Sequence, residues 1–378
     1  MKKKKLLITT DCFVPRWDGI ARFLLELLPF LVKEYNVTIL APDFGALDED
    51  QFPWLKNVTL IRYPLFPVQF GDIYFSNVPR SEIAKHVREA DLIFNQTLGP
   101  IGMYALASAK KYDKKVVSYV HTLDWELAIK SVKRGKFLSY LFGKWLVRRQ
   151  FNKCTFLFVP TSEVAEKLTF LGVHTEKKVL SLGTDPSLFV PSQHKVSVRK
   201  KLGLRKDHFV VGYVGRIGRE KDLGTLYKAF KRLEKKYEHV KLLIVGKGVR
   251  EEEKRFKSKR NVLFVGEKND VVPYLQAMDV YVLPSLTETT SLSTLEALSC
   301  GVPVLSTPVG YVKEYIREKV NGMFFPFGNS LILFMKMEML FKDPQLRHTM
   351  GLHARKTIVK DFNIKKSVQE IVKVLKGI

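Results

Sequence analysis

Glu288 and Glu296 frame the segment Glu288-Thr-Thr-Ser-Leu-Ser-Thr-Leu-Glu296, which follows an apolar run ending at Pro284. Thr289, Thr290 and Ser291 are residue types that cap helix N-termini, and Gly301 is the type that ends a helix. A helix over this segment would present unpaired amides and the positive end of its dipole, which suits a diphosphate. Glu288 would lie in the loop before it. Glu296, inside it, could accept hydrogen bonds from two ribose hydroxyls. The spacing alone also fits a capped surface helix with two solvated glutamates. A second group is Gly215-Arg216-Ile217-Gly218-Arg219-Glu220-Lys221, again after an apolar run. Its glycines allow close backbone approach. The Arg216 fork and the Lys221 point charge suit phosphate oxygens, whose negative charge grows as a glycosidic bond to a nucleoside diphosphate breaks. A third is the loop from Asp11 to Gly19, where Gly19 could let the chain approach phosphate or could serve a plain turn. A fourth is His121, at the end of the run Val116–Val120, with Asp124 and Glu126 near enough in sequence to orient it.

The elements that must position these groups alternate. Apolar runs beginning at Leu6, Val37, Val58, Asp91, Val116 and Phe156 are mostly followed by helix-length amphipathic stretches. A second series begins at Val210, Leu242, Val262, Val280 and Val304. Buried apolar strands alternating with helices predict parallel sheets made of βαβ units. Two series predict an α/β protein of two Rossmann-like domains, residues 1–185 and 186–355, facing a cleft. The segment 356–378 would be helical and could pack back on the first domain. A strand is expected over Val179–Leu182, and a polar, basic connector over Pro191–Lys201. Ligands of such domains sit at the carboxyl ends of strands, where all four groups fall.

The 378 residues suffice for two domains, and 46% hydrophobic residues let each bury a core. Cys12, Cys154 and Cys300 are odd in number and widely spaced, which fits a reducing compartment and excludes a cysteine-based metal site. No signal peptide or spanning segment is visible, so a cytoplasmic chain is expected. The formal charge of +25 favours a polyanionic partner, or merely a soluble lysine-rich surface. No nucleic-acid motif accompanies it, and no nucleic-acid partner is expected.

Taken together, these pieces resemble the GT-B-fold retaining glycosyltransferases of family 4. The resemblance is strongest from Val210 to Phe325: Gly215-Arg216, Lys221, the Glu288/Glu296 pair, Gly301-Val302-Pro303-Val304 and Asn321-Gly322 occur in order. It implies a UDP- or GDP-sugar donor as substrate, transfer with retention of configuration, and no metal or other cofactor. Arg216 and Lys221 would hold the diphosphate, with Gly19 also touching it. Thr289, Ser291 and Leu292 would surround the phosphate. Glu296 would hold the ribose and Glu288 the transferred sugar. His121 would lie near the reacting centre, and the loop with Asp270 against the base. Three positions depart from the pattern: Asp18 precedes Gly19 where two glycines are frequent, Ser291 replaces a common glycine, and Asp222 follows Lys221. The rival readings are an epimerase or hydrolase of the same fold, or a non-catalytic sugar-nucleotide binder.

Between Glu126 and Glu163 the chain has no acidic residue. Lys130, Lys133, Arg134, Lys136, Lys144, Arg148, Arg149 and Lys153 are interleaved there with Phe137, Leu138, Leu141, Phe142, Trp145 and Leu146. This pattern fits a peripheral contact with an anionic membrane on its cytoplasmic face, delivering a lipid-linked acceptor. It equally fits a helix whose apolar stripe packs on its own domain.

Overall fold

A computed structural model describes residues 3–16, 18–48, 50, 52–70, 73–121 and 136–378. The chain divides into two compact units, Met1–Ser181 with Lys366–Ile378, and Leu182–Lys365.

The first unit runs β1 (Lys5–Thr9), α1 (Gly19–Glu34), β2 (Asn36–Pro42), β3 (Val58–Tyr63), β4 (Leu65–Phe70), β5 (Ile73–Ser76), α2 (Arg80–Glu89), β6 (Leu92–Asn95), α3 (Pro100–Lys111), β7 (Val116–Tyr119), α4 (Lys136–Phe151), β8 (Phe156–Val159), α5 (Ser162–Phe170) and β9 (Glu176–Val179). Seven strands form a parallel sheet in the order β3-β2-β1-β6-β7-β8-β9. Its central strands are buried along their whole length because helices cover both faces, so they read as unbroken apolar runs.

The second unit runs α6 (Lys195–Lys201), β10 (Phe209–Val214), α7 (Leu223–Lys236), β11 (Val240–Val245), α8 (Arg250–Glu253), β12 (Val262–Gly266), α9 (Val272–Ala277), β13 (Val280–Leu283), α10 (Leu292–Ser299), β14 (Val304–Ser306), α11 (Val312–Tyr315), β15 (Gly322–Phe324), α12 (Ser330–Lys342) and α13 (Pro344–Asp361). Its parallel sheet has the order β12-β11-β10-β13-β14-β15. In each sheet the order reverses beside the first strand, between β1 and β6 and between β10 and β13. Loops leaving neighbouring strands in opposite directions open a crevice there, which is where such folds bind ligands. The fold is the expected pair of Rossmann-like domains.

Several expectations shift. The strand expected over Val179–Leu182 is β9, three residues earlier, an edge strand of sequence Glu-Lys-Lys-Val. Edge strands carry charge that blunts further pairing, so apolar content pointed to the wrong residues. The antiparallel hairpin β4–β5 and the three-residue β15 were not anticipated. The stretch Pro191–Lys201 is not simply a polar connector: Arg199 in α6 is buried, donating to Asp279 Oδ2 at 2.5 Å and to the Ala277 carbonyl at 3.0 Å. Residues 182–185 go with the second unit, because Thr184 N donates to Phe362 O and Ile364 N to Thr184 O. Residues 356–365 also stay there, since α13 buries Met350, Ala354 and Ile358 in that unit's core. Only from Lys366 does α14 (Ile364–Gly377) belong to the first unit, where Ser367 Oγ donates to Ser181 O at 2.7 Å. Among the described residues no helix is long and apolar enough to cross a membrane.

Candidate active site

The loops after β10 and β13 meet at the second sheet's switch point. Leu286 N donates to Glu220 O at 2.8 Å, tying one loop to the other. Tyr213 in β10 donates its hydroxyl to Arg216 O at 2.7 Å, and Tyr281 in β13 donates to Val214 O at 3.0 Å. These anchors hold the loops at fixed height above the sheet. The side chains above them come together. Lys221 Nζ lies 2.6 Å from Glu288 Oε1, which also accepts from Ser285 Oγ at 2.7 Å. Arg216 pairs with Glu220. Two cations and two carboxylates from these two loops thus form two ion pairs at the switch point, residue types that suit phosphate oxygens and sugar hydroxyls.

Ser291 stands at the N-cap position of α10, but not in the manner expected from its residue type. Its φ is +56°, and its hydroxyl pairs with Thr294 Oγ1 at 2.8 Å rather than accepting a helix amide. The first bonded amide of this turn is Thr294 N, to Ser291 O at 3.1 Å. The backbone is held there by Tyr315, whose buried hydroxyl donates to Thr290 O at 2.8 Å, and by Tyr311 N, which donates to Thr289 O at 2.7 Å. Gly310 permits this approach: a Cβ there would lie 2.1 Å from Glu288 O. A left-handed conformation costs an L-residue about 1–2 kcal/mol and glycine almost nothing. Ser291→Gly should therefore match the native stability or exceed it by up to about 1 kcal/mol, while Ser291→Val should lower it. Urea denaturation of both variants tests this, and a loss on Ser291→Gly would contradict it.

Glu296 is 3% exposed, on the buried face of α10. Asp270 is exposed and accepts from Val272 N at 2.9 Å in the turn that leads into α9.

In the first unit His121 follows β7. Its Nε2 is 2.9 Å from Gln96 Oε1, and its ring packs on Tyr119 and Phe23 with centroids 4.5 and 5.0 Å away. Burial pushes its pKa from 6.5 down to about 3. Between those values the unfolded chain binds more protons than the folded one. His121 therefore contributes stability that is complete above pH 6.5 and is lost progressively as pH falls toward 3. Replacing it by Gln should flatten the acid limb of melting temperature against pH. An unchanged limb would contradict this environment.

Gly19 is the first residue of α1, and the amides of Ile20 and Ala21 already bond Asp18 Oδ1 at 3.0 and 2.9 Å. Asp11 serves α3 in the same way: its carboxylate accepts from Ile101 N at 3.1 Å, Gly102 N at 3.3 Å and Thr97 Oγ1 at 2.7 Å. Both helix N-termini beside this switch point carry the chain's own carboxylate, while the space around Gly19 itself is open. Asp124, Glu126, Lys130, Lys133 and Arg134 lie outside the described residues.

Two family models match: "Glycosyl transferases group 1" over residues 195–357, and "Glycosyltransferase Family 4" over residues 17–188. The chain belongs to the family 4 glycosyltransferases. This glycosyltransferase is 25% identical over 90% of its length to the alpha-monoglucosyldiacylglycerol synthase of Streptococcus pneumoniae, covering 80% of that protein. It is 27% identical to the UDP-Gal:alpha-D-GlcNAc-diphosphoundecaprenol alpha-1,3-galactosyltransferase of Escherichia coli over 67% of each chain. Anabaena HepE, solved in complex with UDP-glucose, superposes with a TM-score of 0.81 over 99% of this chain and 100% of that one, at 18% identity. The shared fold is GT-B.

The glycosyltransferase's α4 also departs from one expectation. Leu138, Leu141, Phe142 and Trp145 are 71%, 46%, 61% and 52% exposed, so this stripe does not pack on its own domain. The opposite face, with Gly143, Val147 and Phe151, is the buried one. Phe142 and Trp145 stack with centroids 5.8 Å apart, and the Arg149 guanidinium lies 5.3 Å over Trp145. Sequence reasoning missed Gln96, Ser285, Glu220 and Tyr315. The first two immediately follow or closely follow strands, a positional signal that could have flagged them. Glu220 shares that signal, since it lies in the loop after β10 within the Gly215–Lys221 group, whereas Tyr315 carries none.

Proposed function

We propose that this glycosyltransferase moves a sugar from a UDP-sugar, bound in the second unit, to the hydroxyl of a lipid acceptor at an anionic membrane surface, with retention of anomeric configuration. The observation that carries this reading is the exposed stripe of Leu138, Leu141, Phe142 and Trp145 beside exposed Arg148 and Arg149. Interfacial helices combine such an apolar face with basic side chains. The Streptococcus relative is named for a glucosylated diacylglycerol, the Escherichia coli relative's name includes a lipid-linked acceptor, and HepE was solved with UDP-glucose, which supports the same choice.

In this mechanism the bond from the anomeric carbon to the β-phosphate oxygen breaks. The acceptor oxygen bonds to that carbon on the same face, and its proton passes to the departing phosphate. Lys221 and Arg216 hold the diphosphate and stabilise the charge that grows on it. The amides near Ser291 and Leu292, with Thr289 beside them, face the phosphate. Glu296 takes the ribose, the loop with Asp270 lies against the base, and Glu288 contacts the transferred sugar. His121 accepts a hydrogen bond from a sugar hydroxyl. No metal is required, because the cations replace it. Thermal shifts with UDP, UDP-glucose, UDP-galactose, GDP and GDP-mannose test the donor site, since a ligand that binds the folded state raises its melting temperature. Shifts with the uridine compounds are expected. A response to the guanosine compounds alone would move the base assignment, and no response at all would contradict the site.

A further inference from the structure

Phe170 is the last helical residue of α5, and at 92% it is more exposed than any other large apolar side chain among the described residues. The end of the helix turns it outward. Gly172, at φ +84°, closes α5 in the left-handed conformation: its N donates to Thr169 O at 2.9 Å, and Val173 N donates to Leu168 O at 2.9 Å. Leu168 and Val173 take the buried side of this ending, so Phe170 is presented to water. A single exposed phenylalanine needs no partner. This one, however, stands on a turn that is fastened to α4. Asn152 Nδ2 donates to Gly172 O at 2.8 Å, His174 N to Asn152 Oδ1 at 2.8 Å, and Thr175 Oγ1 to Phe151 O at 2.8 Å. A Cβ at Gly172 would lie 3.0 Å from Arg148 Nε. Phe170 is thus two residues from backbone that touches the exposed basic end of α4.

The topology sets both elements in one layer. β7, β8 and β9 are parallel neighbours in that order, so α4 and α5 each return from a carboxyl end to an amino end of the sheet. Right-handed crossovers taken in the same direction place both helices on one face. The 16 residues of α4 span about 24 Å. Its exposed stripe therefore runs from the carboxyl edge of the sheet, where His121 lies, to the amino edge, where Phe170 continues it. In residues 148–153 and 170–177, Arg148, Arg149, Lys153 and Lys177 stand against Glu176 alone, and Lys177 Nζ is held on Val173 O at 2.6 Å.

We infer that Phe170 is a second membrane anchor, inserting into the same anionic lipid surface as Phe142 and Trp145, so that the first unit lies along the membrane on its α4–α5 side. The inference rests on the membrane contact proposed above and adds an orientation to it. A single helix in the interface leaves the unit able to roll about the helix axis. An anchor on the neighbouring helix fixes that angle. Aromatic side chains flanked by cations are the combination that an anionic lipid surface takes up.

The test is sedimentation of the full chain with vesicles of mixed phosphatidylcholine and phosphatidylglycerol. Phe170→Ser should weaken partition about tenfold or more, with an unchanged melting temperature. Its loss should multiply with that of the Phe142→Ser, Trp145→Ser double variant, because the side chains enter the lipid separately. Phe170→Trp should bind at least as well as the native chain. In a Trp145→Phe background its fluorescence should be quenched by brominated phosphatidylcholine beyond the quenching of Trp145→Phe alone, which covers the case in which Phe170→Ser fails to fold. Native partition of Phe170→Ser, with binding lost in the Phe142 and Trp145 double variant, overturns the second anchor and leaves the membrane contact of α4 standing. Partition indifferent to all three residues removes both. A concentration-dependent dimer of the native chain that Phe170→Ser abolishes, with vesicle binding intact, also overturns the inference and assigns Phe170 to a contact between copies.

Discussion

Lys221→Ala should lower kcat/KM for the sugar-nucleotide donor by about 100- to 1000-fold, the usual loss when one preorganised charge partner of a developing anion is removed. The ammonium is not a solvated surface charge. It lies 2.6 Å from Glu288 Oε1, at the switch point where the loops of β10 and β13 meet. As the diphosphate departs, its added negative charge would draw on this cation. The same geometry makes the two residues inseparable. Glu288→Ala removes a contact to the sugar and also frees Lys221, so its effect should not be confined to turnover. The double variant should lose less than the product of the single losses, because the pair acts as one unit. Stability separates the effects: without Lys221 the half-buried Glu288 retains Ser285 but no cation, at a cost of about 1–3 kcal/mol. Lys221→Arg should not restore activity, since a planar fork does not replace a point charge in this space. Kinetics of the single and double variants, with melting temperatures alongside, check the claim. Single variants within a few-fold of native turnover would contradict it.

Changing Phe142 and Trp145 together to Ser should weaken partition onto vesicles by about 100-fold or more. Each aromatic side chain removed from water is worth roughly 1.5–3 kcal/mol, and each 1.4 kcal/mol is about tenfold. Folding should be unaffected, because both side chains stand in solvent at 61% and 52% exposure. Gln at Lys144, Arg148 and Arg149 should act differently. It should remove roughly 1 kcal/mol per charge on vesicles of mixed phosphatidylcholine and phosphatidylglycerol, and little on phosphatidylcholine alone. Salt should reproduce that loss, since screening acts within about 8 Å at physiological ionic strength. Sedimentation of native and variant chains with both vesicle types, at low and high salt, is the measurement. Binding that ignores the aromatic residues, the charges and the salt would remove the membrane reading.

What could be read from the residues follows from how each element is buried. Val210–Val214 and Val280–Leu283 are covered on both faces, so their apolar runs were visible without a structure. β9 lies at an edge with three of its four residues charged, and hydrophobicity could not find it. The hairpin β4–β5 left a cue, a Gly-Asp pair between two aromatic runs. The site divides along similar lines. That Arg216, Lys221 and Glu288 lie on loops after buried strands was legible, because those strands are unbroken apolar runs. The Lys221–Glu288 contact was not, because it joins residues far apart in sequence that only the reversal of strand order brings together. The left-handed turn at Ser291 was equally hidden. It is imposed by Tyr315 and Gly310, which lie beyond the next strand. On α4 the charge pattern was plain, but which face the helix buries is a packing outcome that composition does not contain.

The most direct test is product analysis with UDP-glucose labelled at its anomeric carbon, incubated with the full chain and vesicles that contain diacylglycerol, phosphatidylcholine and phosphatidylglycerol, with a metal chelator present. One glucosyl lipid should form for each UDP released, with the anomeric configuration of the donor preserved, and Lys221→Ala should abolish it. Free glucose, an isomerised sugar nucleotide, or a lipid product of inverted configuration would contradict the account.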